Sequence, residues 1–110
     1  MSLKINAAIG FCARAGKLKS GDFAVEKALK SNKARIVILD ETASDNTRKT
    51  WENACSYRSV RLLLMESPGI MAGKKDNKVF AVVDDDFAKM IVNAFDSQQL
   101  GSCENKDTDF

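Results

Sequence analysis

The sequence predicts an α/β fold, a three-layer α/β/α sandwich around a small mixed, mostly parallel four-stranded sheet. Three observations carry this expectation. Residues 35–40 (Arg-Ile-Val-Ile-Leu-Asp), 60–64 (Val-Arg-Leu-Leu-Leu) and 79–83 (Val-Phe-Ala-Val-Val) are short apolar runs. Such runs suit strands covered on both faces, as in a parallel sheet. The segments between them carry apolar residues at helical spacing, and helices alternating with buried strands indicate layered packing. With 110 residues, 45% of them apolar, the chain suffices for one domain with one core.

The elements follow in order. Ile5, Ala8, Ile9, Cys12 and Ala15 fall on one helical face, and Gly16 stops this first helix, over about 4–15. Residues 17–19 form a link or brief strand. Ser20 reads as the N-cap of a second helix, with Asp22 in its first turn, Val25, Ala28 and Leu29 as its apolar stripe, and Ser31-Asn32 as its end. After the first buried strand, Ser44 or Asp45 caps a third helix to about Tyr57, with Thr47, Trp51, Ala54 and Cys55 on its buried side. Residues 65–77 read as a loop with a helical turn. Asp84, Asp85 and Asp86 precede a last helix carrying Phe87, Ile91, Ala94 and Phe95. Composition turns polar there, so residues 1–95 are expected to form the domain and 96–110 a flexible acidic tail.

Charge is unevenly distributed. The formal net charge is only +2, yet residues 14–35 hold Arg14, Lys17, Lys19, Lys27, Lys30, Lys33 and Arg35 against Asp22 and Glu26. Residues 96–110 are net acidic and mask this in the total. Three widely spaced cysteines and no histidine argue against a disulfide framework or a zinc site and for a reducing compartment, the cytoplasm. No apolar run has the length of a signal-peptide core or a membrane span. Gly10 to Gly16-Lys17 has one residue too many for a phosphate loop and Gly69 to Gly73-Lys74 one too few, which sets aside a nucleotide triphosphate site. The Asp84–Asp86 cluster suits a helix cap better than a metal. Cys12 and Cys55 lack a histidine to activate them and read as core. No cofactor is expected, and no catalytic set is placed by the sequence.

The stretch around Gly21 remains. A glycine permits close approach of another backbone, the first amides of a helix suit phosphate oxygens, and Lys17, Lys19, Lys27 and Lys30 surround it. On charge alone, a solvated basic helix face is the somewhat better explanation.

Residues 10–47, then Pro68-Gly-Ile-Met-Ala-Gly-Lys74, then Val82-Val-Asp-Asp-Asp-Phe-Ala-Lys89 together resemble the kink-turn-binding ribosomal protein family of the seven-Ae and thirty-e type, in its small bacterial YlxQ-like branch. The resemblance covers about residues 4–95. It implies an α/β/α sandwich and a non-catalytic, cytoplasmic protein that binds ribosomal or other structured RNA as a monomer. Ribosomal or RNA-processing proteins would be its neighbours, and no membrane would be involved. In this family the second helix opens with Gly-x-Asn-Glu-x-x-Lys, whose Asn and Glu read sheared G·A pairs. The matching residues are Gly21, Asp22, Phe23, Ala24, Val25, Glu26 and Lys27. Phe23 and Ala24 replace the two readers, so RNA binding is implied more strongly than kink-turn specificity. Phe23 either stacks on a base or belongs to the core. The family's second contact is the loop before the last strand. Here Gly69 would permit close approach, Ile70 and Met71 would cover a base or seal the sheet edge, and Lys74 and Lys75 would add charge. Glu41, after the first buried strand, would border the same surface. The alternative is a protein-interaction module on this fold that has lost RNA readout.

Overall fold

The computed structural model describes residues 3–66, 68–73 and 76–101. Met1, Ser2, Ser67, Lys74, Lys75 and the segment 102–110, with Cys103, lie outside the described residues, as does the side chain of Ile5. The element order is α1 (Leu3–Arg14), β1 (Leu18–Ser20), α2 (Asp22–Lys30), β2 (Ile36–Asp40), α3 (Asp45–Tyr57), β3 (Arg61–Met65), α4 (Pro68–Ala72), β4 (Val79–Val82) and α5 (Asp85–Gly101). The link after α1 is a true strand, and the helical turn in the long loop is α4.

The four strands form one mixed sheet in the order β1-β4-β2-β3. The expectation of a mostly parallel sheet needs one correction. Only β2 and β3 pair in parallel, whereas β4 pairs antiparallel with both β1 and β2. The reason lies in the β3–β4 connection. Asp40 is opposite Met65, where β3 ends, and Leu39 is opposite Val79, where β4 begins. The chain therefore re-enters the sheet at the end it has just left, and its five-residue α4 does not carry it back as a crossover helix would. β1, β2 and β3 still run the same way, with β4 inserted among them against their direction.

Side chains alternate across the sheet, which divides the core in two. Ile36, Ile38, Leu63, Met65, Phe80 and Val82 pack with Ala8, Ile9 and Cys12 of α1 and Ala88, Ile91 and Ala94 of α5. Val37, Leu39, Val79 and Ala81 face the other way, against Val25, Ala28 and Leu29 of α2 and Trp51 and Cys55 of α3. This is the three-layer arrangement that the sequence predicts. No helix among the described residues is long and apolar enough to cross a membrane.

Local chemistry explains where the helices start. Gly16 closes α1 in the left-handed region (φ 74°), where glycine carries no side-chain penalty. Ser44 caps α3 by accepting from the Thr47 amide at 3.2 Å. Thr47 is thereby exposed rather than buried, because it sits in the capped first turn. Asp84 caps α5 in the same way, its Oδ2 accepting from the Phe87 amide at 3.0 Å, and Asp85 pairs with Arg35 at 3.0 Å. At its far end α5 continues past Phe95 to Gly101, beyond the boundary expected from composition. Asp96 is held there by Arg61 of β3 through two bonds of 2.7 and 3.1 Å, and this contact keeps the carboxyl below its ordinary pKa.

Cys12 and Cys55 are buried. Burial pushes both thiols up from 9.0 to about 11, and the Asp84 carboxylate adds to the effect at Cys12. The folded state thus holds these protons more tightly than the unfolded chain. Their contribution to stability is complete below about pH 9 and is lost as pH rises through about 11. Urea midpoints measured across this window should fall more steeply for the wild type than for a Cys12→Ala/Cys55→Ala variant.

Candidate nucleic-acid interface

The start of α2 departs from the expected cap. Ser20 is the last residue of β1, opposite Phe80, so its backbone is committed to the sheet. The N-cap is Gly21, at φ 92° and ψ 159°, and no side chain caps the helix. That combination of angles is essentially restricted to glycine. The Gly21 amide donates to the Val79 carbonyl at 3.0 Å, while the Gly21 carbonyl accepts from Val25. Among the described hydrogen bonds, none is donated by the backbone amides of Asp22, Phe23 or Ala24. α3 and α5 each have one first-turn amide capped by a side chain, at Thr47 and Phe87; among the described residues α2 has none, so its first-turn amides face an external acceptor. A Cβ at Gly21 would lie 3.6 Å from Asn77 Oδ1, an ordinary contact. The strain of Gly21→Ala is then mainly conformational, and the variant should lose about 1–3 kcal/mol of unfolding free energy, measured by urea denaturation.

Three other segments reach the same end of the sheet. The Asp40 amide donates to Lys78 O at 2.7 Å, and the Glu41 amide to Met65 O at 2.9 Å. Asp40 Oδ1 accepts from the Thr42 amide at 2.9 Å and the Thr42 hydroxyl at 2.8 Å, fixing the turn after β2. Asn77 lies beside Gly21, and Lys78 Nζ lies 3.5 Å from Thr42 Oγ1. The strand ends thus gather the start of α2, the Glu41 turn, the start of the β3–α4 connection and residues 76–78. Asn77 and Lys78 had no signal in the sequence, because their placement depends on β4 lying between β1 and β2.

The sequence-derived site residues divide as follows. Lys17, Lys19, Asp22, Phe23, Lys27 and Lys30 are exposed along β1 and α2 or the link before them, and Glu41 is exposed in its turn. Phe23 is 79% exposed, which excludes the core alternative. Gly69 is buried within α4. Ile70 and Met71 belong to α4, but their side chains lie outside the described residues, as do Lys74 and Lys75. Of the basic residues from 14 to 35, Lys30 pairs with Glu26 at 3.8 Å and Arg35 with Asp85. Among the described residues, Lys17, Lys19, Lys27 and Lys33 have no carboxylate within 4.0 Å.

Fold and site together define a class: an α/β/α protein whose uncapped second helix and adjoining strand carry cations that have no carboxylate within 4.0 Å among the described residues and suit phosphate oxygens. Over 91 residues the chain is 34% identical to the RNA-binding protein YlxQ of Bacillus subtilis (strain 168), covering 80% of this chain and 91% of that one. Over 83 residues it is 37% identical to the RNA-binding protein YlxQ of Enterococcus faecium, covering 74% and 81%. The chain belongs to the YlxQ family, and both of these relatives are named RNA-binding proteins. No protein-family model matches it. Among solved structures, a Bacillus halodurans protein of unknown function superimposes with a TM-score of 0.81 at 26% identity, over 86% of this chain and 99% of that one. The Giardia lamblia 15.5kD RNA binding protein superimposes with a TM-score of 0.67 over 88% and 86%. At 15% identity that second likeness speaks to the fold alone.

Proposed function

We propose that this protein binds RNA, without catalysis, through the end of the sheet where α2 begins. The observation that carries the reading is the bond from the Gly21 amide to Val79 O. It joins the uncapped helix start to the segment bearing Asn77 and Lys78. The free amides of the first turn donate to phosphate oxygens, and Lys27, one turn further along, neutralises the adjoining phosphate. The names of the YlxQ relatives support RNA as the ligand. The target is ribosomal or another structured RNA, met by a monomer in the cytoplasm. Phe23 and Ala24 cannot reproduce the hydrogen bonds of Asn and Glu, so the contact is to the backbone and shape of the RNA rather than to G·A edges.

Titration of ribosomal RNA fragments and a kink-turn RNA against salt tests this reading. Lys27→Ala should weaken binding several-fold and reduce the slope of log affinity against log salt by about 1. An unchanged slope would remove Lys27 from the interface. Failure of the folded wild type to bind any of these RNAs at about 50 mM salt, below the range in which phosphate contacts are screened away, would favour the protein-interaction module.

A further inference from the structure

A groove of about 400 Å³ runs along the outer side of α2 where the helix meets the edge strand β1. Its origin can be followed residue by residue. Lys19 is opposite Ala81 across the β1–β4 pair, and cross-strand partners share a face of the sheet. Ala81 packs with Val25 and Ala28, so Lys19 projects toward α2, while Leu18 packs on the opposite face. Lys33 is brought back by the helix terminus. Ser31 Oγ donates to Lys27 O at 2.8 Å, Asn32 turns left-handed (φ 60°), and the Lys33 amide donates to Ala28 O at 2.9 Å. Phe23 and Lys27 are one helical turn apart, as are Ala24 and Ala28, and the two alanines leave open the space that longer side chains would fill.

The charge in this groove is one-sided. Lys19, Lys27 and Lys33 line it and no carboxylate does. The 79%-exposed ring of Phe23 stands at its edge. The larger groove across α2, toward α3, also touches Phe23, but its charges are balanced: Asp22 and Glu26 against Lys30 and Arg58. Of these two grooves, the one on the β1 side carries the net positive charge that attracts an anion. An isolated phosphate would use the lysines and ignore the ring. A flat apolar face beside a row of cations matches the way grooves hold unpaired nucleotides, with base on ring and phosphates on lysine. We infer that this groove holds a single-stranded segment of the RNA, one unpaired base stacked on Phe23 and its flanking phosphates on Lys19, Lys27 and Lys33. The inference rests on the RNA-binding reading and specifies a strand running away from the sheet-end contact along α2.

The test uses the full chain and a single-stranded RNA of about ten nucleotides carrying one 2-aminopurine, alongside a folded ribosomal RNA fragment. Lys19→Ala/Lys33→Ala should weaken binding of the single strand about tenfold and lower its salt slope by roughly 1.4, two contacts at about 0.7 each. Phe23→Ala should abolish the fluorescence quenching that accompanies stacking, and Phe23→Tyr should retain it. All three positions are exposed, so thermal melts of the variants should match the wild type. Single-strand affinity indifferent to the double lysine variant, or quenching that persists in Phe23→Ala, overturns the groove assignment. Binding of the folded RNA without the single strand also overturns it and leaves the RNA-binding reading standing. Binding of neither ends both.

Discussion

Phe80→Ala should lower the unfolding free energy by about 3–5 kcal/mol, a large share of the roughly 5–15 kcal/mol that holds a small domain together. The ring is 1% exposed and packs in the layer with Ile38, Leu63 and Ile91. It stands on β4, opposite Ser20 on one side and Ile38 on the other. Truncation removes apolar packing against Ile38, Leu63 and Ile91 and leaves a cavity in a strand whose flanks both hold it in place. The effect should reach the interface, because residues 78 and 79, just before Phe80, receive the Asp40 and Gly21 amides. Urea unfolding followed by far-ultraviolet circular dichroism measures the loss. A midpoint equivalent to less than about 1 kcal/mol, well under the usual cost of deleting a buried ring, would contradict this packing. Phe23→Ala is the internal control, since an exposed ring should contribute within about 0.5 kcal/mol.

The double replacement Phe23→Asn/Ala24→Glu should raise discrimination for a kink-turn RNA, over the same RNA with its G·A pairs replaced, by about tenfold. Two recovered hydrogen bonds, one to a carboxylate, would supply the required ~1.4 kcal/mol. Phe23 is exposed and Ala24 half-buried in the first turn of α2, so both side chains fit without disturbing the core, and a carboxylate in that turn suits the helix dipole. Parallel titrations of the two RNAs give the ratio. An unchanged ratio would mean that the first turn of α2 does not face the bases. The same variant should bind the single-stranded probe more weakly, because it removes the ring and places an acid beside three lysines.

Much of the layered fold is legible in local sequence. Strand β2 and the capped helix α3 emerge from β-branched runs, helical spacing and Ser44 because those signals are contained within a few residues. Strand order is not local. Nothing in Val79–Val82 distinguishes a central antiparallel strand from a parallel one, since burial on both faces makes the two look alike. The same gap hides Asn77 and Lys78 until β4 is placed beside β1. Ser20 misleads for a related reason: it has the side chain of a cap, but the β1 ladder claims its backbone and moves the boundary to Gly21. Composition also misplaces the end of α5, because a polar helix tip tied by Arg61 and Asp96 resembles a tail. Charge in residues 14–35 marks the right helix, yet it does not separate the paired Lys30 and Arg35 from Lys19, Lys27 and Lys33.

The strap that leads into α2 is tied to β4 at both ends, by Val83 N to Lys17 O and by Gly21 N to Val79 O, each at 3.0 Å. Its backbone is already immobilised in the free protein, so docking requires no disorder-to-order transition on this side. Calorimetry should accordingly register only a small heat-capacity decrement on association, unlike a segment that folds as it binds.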